Sequence, residues 1–220
     1  MEWPLLAPLP ADARAAVLSA ARRRRFAKGE VVFHEGDAAD ALHLVISGHL
    51  VVQVNTSDGS RVTLNVLGPG SHVGELALVH GAEPEPRSAT VLALGTAATL
   101  SLPAAAFHEL CERHPAVNHI LVDLLAQRVR ELGDRLLEST SVGLDRRVHR
   151  CLLRLADLFT EGPGPVVVPM TQDQLADLVG GTRPSVNQVL QRLQALGVIR
   201  LRRGRVELLD RATLERKAGW

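Results

Sequence analysis

Five polar residues, Arg183, Ser185, Asn187, Gln188 and Arg192, remain on a helical segment once Val186, Val189, Leu190 and Leu193 are assigned to its apolar face. An arginine can grip O6 and N7 of guanine, and an amide side chain can grip N6 and N7 of adenine. Hydroxyls and further guanidiniums suit phosphates, which set register without reading sequence. The residues upstream supply a mount for this helix. Thr171 with Gln174 three positions on is a capping box. The predicted helix 172–179 buries Leu175, Ala176 and Val179, and Gly180-Gly181 makes a tight turn. Thr182 caps the next helix, and Pro184 falls in its first turn, where no N–H partner is needed. Two short helices joined by a glycine turn predict a helix-turn-helix, whose second helix enters the major groove by its N-terminal part. Gly197-Val198-Ile199 closes that helix near Leu196. Arg200–Arg202 and Arg205–Leu209 then predict a hairpin, or wing, around Arg203-Gly204. The candidate DNA contacts are Thr171, Thr182, Arg183, Ser185, Asn187, Gln188, Arg192 and Arg203.

A second set of residues lies far upstream: Gly74-Glu75-Leu76-Ala77-Leu78, followed by Pro86-Arg87-Ser88-Ala89-Thr90-Val91. Glycine permits close backbone approach. Glu75 and Arg87 face each other across a loop rich in Gly and Pro, so they either serve a ligand or pair with one another. Around them, short β-rich runs alternate with glycine turns: Glu30–His34, Ala41–Ser47, His49–Asn55, Arg61–Leu67, Ser88–Leu94 and Ala97–Leu102. Strands at intervals of about ten residues predict a sandwich or barrel, with Asp58-Gly59 as a hairpin turn.

Helices flank this region. Residues 5–25 read as one short helix started by Pro10-Ala11-Asp12-Ala13-Arg14, with Val17 and Leu18 as its apolar face and Arg22–Arg25 as its solvated end. Another follows Pro103 through Cys111. A long one starts near His114-Pro115, where Val122, Leu125, Val129, Leu132 and Leu136 step by three and four, the spacing of a coiled-coil seam. Ile120, Leu121 and Leu124 form a second row beside it, and a helix apolar on two faces needs two partners, here the β domain and a second copy. Ser139-Thr140-Ser141-Val142-Gly143 reads as a hinge. An amphipathic helix follows to Leu158, Gly162-Pro163-Gly164-Pro165 ends it, and Val166–Val168 reads as a strand.

The totals agree with this organisation. The chain has 220 residues, enough for two modest domains. Its net charge of +1 is divided: residues 1–140 hold 12 Lys+Arg against 16 Asp+Glu, and residues 141–220 hold 13 against 8. The basic C-terminal part is where a polyanion docks. With two Trp, four Phe and no Tyr, base stacking on single strands is disfavoured. No run is long and apolar enough to cross a membrane, and the N-terminus does not read as a signal peptide, so a cytoplasmic location is expected. Cys111 and Cys151 read as small packed side chains, and their spacing suggests no metal site. No P-loop, HExxH or nucleophile elbow points to an enzyme.

The order of β domain, long helix and winged helix-turn-helix, with the segments 74–78, 86–91 and 171–199, resembles the CRP–FNR family of bacterial transcription regulators over nearly the whole chain. The resemblance implies an α+β protein. Residues 1–113 would form a double-stranded β-helix (jelly-roll) effector domain, 114–142 the dimerisation helix and hinge, and 143–220 the winged helix-turn-helix. It implies a homodimer on double-stranded DNA, with RNA polymerase as a further partner. The effector would be a cyclic nucleotide, cAMP or cGMP, with no covalent cofactor; a ligand-independent regulator is the alternative. By position, Arg87 and Ser88 would hold the cyclic phosphate and Glu75 the ribose 2′-hydroxyl. Gly74, Leu76 and Ala77 would let backbone approach the ligand, and Arg128 and Leu132 would meet it from the long helix. Two departures stand out. Cyclic-AMP-responsive members place a Thr-Ser pair where this chain has Leu132-Gly133, which sets an apolar surface against the base. Pro184 and Gln188 replace a Glu and an Arg of the family's recognition helix, which implies a different operator. His34, His43, His49, His72 and His80 are scattered and do not resemble a haem or metal set.

Overall fold

The structure is a computed structural model that describes residues 3–57, 59–78, 85–160, 162 and 164–219. Asp58 of the expected hairpin turn, His80 and Pro163 lie outside the described residues. The chain divides into two compact units, Met1–Arg61 with Asn65–Arg130 and Val62–Leu64 with Glu131–Trp220.

The first unit opens with a 3-10 turn, Pro4–Leu6, and α1 (Ala11–Ala20). Eight strands follow: β1 (Arg22–Phe26), β2 (Val31–Phe33), β3 (Ala41–Ser47), β4 (Leu50–Asn55), β5 (Arg61–Leu67), β6 (His72–Val73), β7 (Thr90–Ala93) and β8 (Ala97–Pro103). They form two four-stranded sheets, ordered β1-β8-β3-β6 and β2-β7-β4-β5, in the jelly-roll manner and without closing into a single barrel. The reason is visible in β3, which is buried along both faces for its first five residues. Val45 points into the core between the sheets with Phe26, Leu50, Val91 and Ala97. Leu42 and Leu44 point the other way. They meet Trp3, Leu5, Leu6, Phe107 of α2 (Ala104–Arg113), and Val117 and Leu121 of α3 (Pro115–Ser141). Trp3 also donates its indole N–H to Val45 O at 3.1 Å.

Two expectations are corrected here. Arg22–Arg25 is not a helix end but most of strand β1, paired antiparallel with β8 from Arg22↔Ser101 to Phe26↔Ala97. Four adjacent charges carry no apolar alternation, and only the long-range backbone ladder makes the segment a strand. The expected hinge is also shorter, because Ser139, Thr140 and Ser141 belong to α3. The Ser139 and Thr140 hydroxyls donate back to Leu136 O, at 2.7 and 3.2 Å, and so satisfy the last turn locally.

The second unit contains α4 (Leu144–Phe159), β9 (Val166–Val168), α5 (Gln172–Val179), α6 (Arg183–Ala195), β10 (Ile199–Arg202), β11 (Arg205–Leu208) and α7 (Arg211–Ala218). The strands form one sheet, β10-β11-β9. α4 buries Val148, Cys151, Leu152, Leu155, Ala156 and Phe159, and burial pushes the Cys151 thiol up to about 11. α7 was not expected from sequence. It is capped by Asp210, which accepts from Thr213 N at 2.9 Å, and α4 holds it through Arg150 Nε–H to Ala218 O at 3.1 Å.

The capping box at α5 is complete. Gln174 N donates to Thr171 Oγ1 at 3.2 Å, and Thr171 N donates to Gln174 Oε1 at 2.9 Å. Gly180 ends the helix at φ 60°, ψ 47°, a left-handed conformation that glycine adopts without a Cβ penalty. Thr171→Ala is expected to lower the stability of this unit by about 1 kcal/mol. Denaturant titration of the full chain, followed by a probe on the second unit, checks this.

Candidate functional site

The Arg87 side chain is held on several sides within the first unit. Its backbone is fixed first: Arg87 N donates to Asp37 O at 2.9 Å, and Gly36 N donates to Arg87 O at 2.8 Å. The guanidinium then donates from Nη1 to Gly74 O at 2.9 Å, and from Nη2 to Ala41 O at 2.6 Å and Asp40 Oδ1 at 3.0 Å. One face lies over the Phe33 ring, 4.2 Å from its centroid. Arg87 is 2% exposed, and its Nε–H has no hydrogen-bond partner among the described residues. Gly74 is required for this arrangement: its φ is 95°, and a Cβ there would come within 2.5 Å of Arg87 Nη1.

Glu75, the next residue, is 1% exposed. Its Oε1 accepts from Arg128 Nη1 of α3 at 2.7 Å, and its Oε2 is buried with no partner among the described residues. A buried carboxylate oxygen left without a donor costs about 1–3 kcal/mol. Glu75 and Arg87 therefore take separate partners instead of pairing with each other. Two histidines line the region. Burial, and secondarily the Arg87 charge, lowers His43 to about 4. Burial also lowers His72, against an opposing pull from Glu75. Ser88 is exposed, Leu76 is 42% exposed, and Ala77 is buried, its carbonyl accepting from Glu85 N at 3.1 Å.

In the second unit, Thr182 caps α6 by accepting from Ser185 N at 3.4 Å, while its hydroxyl donates to Ser185 Oγ at 2.9 Å. Arg183 is exposed, with Nη1 3.5 Å from Asp173 Oδ2. Gln188 is exposed, as is Gln191 one turn later, which the sequence reading passed over. Two of the five polar residues expected on the open face of this helix are placed differently. Asn187 is half-buried with its Oδ1 enclosed, and Ser185 is half-buried, because both lie on the flanks of the apolar stripe rather than opposite it. Arg192 is exposed but held, its Nη2 lying 2.7 Å from both oxygens of Asp145 on α4. At the wing, Arg200, Arg205 and Arg202 surround Glu207 at 3.3, 3.3 and 4.0 Å. Arg203 at its tip is exposed.

On α3, Val122, Val129, Leu132, Leu136 and also Leu137 are 57–68% exposed, and Leu125 is half-buried. Among the described residues no helix is long and apolar enough to cross a membrane. No group of three His, Cys, Asp or Glu among them could hold a metal ion.

Residues 23–114 match the cyclic nucleotide-binding domain family, and residues 146–217 match the Crp-like helix-turn-helix domain. The chain is 35% identical to the cyclic AMP receptor protein of Thermus thermophilus, across 90% of this chain and 88% of that one. The chain belongs to the CRP–FNR family. It is a DNA-binding transcription regulator of that family, not an enzyme. A CRP-like cAMP-activated global transcriptional regulator of Mycobacterium tuberculosis is 31% identical over 88% of this chain and 86% of its own length. A CRP-family transcriptional regulator of known structure, also from Thermus thermophilus, superposes with a TM-score of 0.74 at 29% identity, covering 90% of this chain and 97% of that one.

Within this CRP–FNR member the fold sets Gly74 against Arg87, and Arg128, which only the resemblance implied, against Glu75. Sequence reasoning missed Phe33, Asp40 and Ala41, which complete the surroundings of Arg87. They come from β2 and from the loop and strand that follow it, about 50 residues earlier, and no local pattern advertises them.

Proposed function

We propose that this regulator acts as a homodimer on double-stranded DNA and is controlled by a cyclic nucleotide bound between Glu75 and Arg87. One observation carries the reading: a buried acceptor, Glu75 Oε2, and a buried donor, Arg87 Nε–H, sit in the same cassette without partners among the described residues. A ribose hydroxyl would donate to the first, and a phosphate oxygen would accept from the second, with Ser88 beside it. Gly74, Leu76 and Ala77 would line the approach. Arg128 already holds Glu75, so a ligand there reaches α3 directly. The ligand shifts the DNA-binding equilibrium only as far as it favours one arrangement of α3 over another. Relatives named as cyclic AMP receptors support cAMP as the first nucleotide to try; Leu132-Gly133 makes cGMP the necessary comparison.

The apolar row on α3 would meet the same row of a second copy. The paired recognition helices would then enter successive major grooves roughly 34 Å apart. Arg183 and Gln188 would read base edges, and Thr171, Thr182, Ser185 and Arg203 would contact phosphates. Arg192 would join the phosphate contacts on leaving Asp145. Arg183→Ala is expected to cost roughly 1–3 kcal/mol on the specific operator and much less on random DNA. Equal losses on both duplexes would make Arg183 a phosphate contact.

A second reading, DNA binding without a nucleotide, is favoured by one observation: both terminal nitrogens of Arg87 already have acceptors. Titrating cAMP and cGMP against duplex binding at two ionic strengths separates the two. Nucleotide-dependent, salt-sensitive affinity is expected. Salt-sensitive affinity indifferent to both nucleotides selects the second reading.

A further inference from the structure

We propose that Phe33 is a positioning residue for the anionic group of the effector, acting through Arg87. The proposal rests on the reading of the Arg87 cassette given above. Gly74 O, Ala41 O and Asp40 fix the guanidinium within its own plane. Phe33 adds a contact from outside that set, its ring centroid 4.2 Å from the guanidinium carbon. The negative ring face attracts the cation, and this contact helps to hold the direction in which the Nε–H points.

The fold aims that ring. The pairing of β2 with β7 shifts register between Val31 and Phe33, a local irregularity of the kind that redirects a side chain. His43 packs against Phe33 with centroids 5.9 Å apart and planes at 45°, and its Nδ1 lies 3.1 Å from Thr99 Oγ1. His43 and Thr99 are 2% and 0% exposed. Burial keeps the imidazole uncharged near neutral pH, so it buttresses Phe33 without repelling Arg87. Thr99, His43, Phe33 and Arg87 thus form a chain of contacts from β8 through β3 and β2 to the cassette. No residue in it besides Arg87 needs to touch the ligand.

The test compares Phe33→Leu, which keeps apolar bulk but removes the ring face, with Phe33→Tyr, which keeps it. Two readouts are taken on the full chain. Calorimetric titration with cAMP, and with cGMP, is expected to show about tenfold weaker binding in Phe33→Leu and near wild-type binding in Phe33→Tyr. Hydrogen exchange of the Arg87 Nε–H, followed by NMR without nucleotide, is expected to quicken in Phe33→Leu and not in Phe33→Tyr. Thermal melting confirms that each variant is folded. The proposal is overturned if Phe33→Leu changes neither affinity nor exchange, or if both variants lose affinity equally. A wild-type chain that binds neither nucleotide overturns the ligand reading instead, and Nε exchange then decides the Phe33–Arg87 contact on its own.

Discussion

Arg87→Ala is expected to weaken cyclic nucleotide binding by at least about a hundredfold, the scale of losing charge-assisted hydrogen bonds to a buried anion. Calorimetry with cAMP and cGMP measures it. The substitution has a second effect that must be separated from the first. It removes the donors to Gly74 O and Ala41 O, and each buried carbonyl left without a donor costs about 1–3 kcal/mol. The melting temperature should therefore fall as well. Arg87→Lys separates the two effects. It keeps a cation against Asp40 and a donor for one carbonyl, but it lacks the planar fork. Restored stability with binding still weak would locate the affinity in the guanidinium geometry. Unchanged affinity in Arg87→Ala would remove the pocket assignment altogether.

The second large effect is expected on α3. Val129→Glu combined with Leu136→Glu should convert a dimer into a monomer in sedimentation and lower affinity for a two-half-site duplex by about 10²–10⁴-fold, because the second half-site then loses its effective concentration. Both side chains are 67–68% exposed in the single chain, so folding of the chain itself should be unaffected. In a symmetric pair each new carboxylate would lie close to its own copy across the axis. If the variant sediments like wild type, the seam is elsewhere.

What could be read from the sequence depended on how locally each feature is determined. The Thr171 box, the Gly180 turn, the Thr182 cap and the wing all follow from chemistry within four or five residues, and they were placed to within a residue or two. β3 and β5 were bounded correctly because their runs are apolar or alternating. β1 was not, because its strand character comes from Ser101–Ala97, some 75 residues away. α7 was missed because Leu214 and Ala218 are its only two buried positions, too few to show a period. The candidate cassette could be located by its two halves, 74–78 and 86–91. The partners that each half takes could not: Asp40 and Phe33 on Arg87 and Arg128 on Glu75 are long-range choices made by the fold. The hinge was drawn too long because three hydroxyl residues in a row favour turns, yet here they bond back onto their own helix.

Among the described residues strand β1 has a strand neighbour on one side only, so its outer edge is where another strand could add. Its four arginines change what such an encounter means. Two copies meeting margin to margin would set two such runs, eight arginines in all, on strands about 5 Å apart, and like charges directly opposite oppose a ladder. Crowded molecules of this regulator are thus kept from zipping into a continuous ribbon.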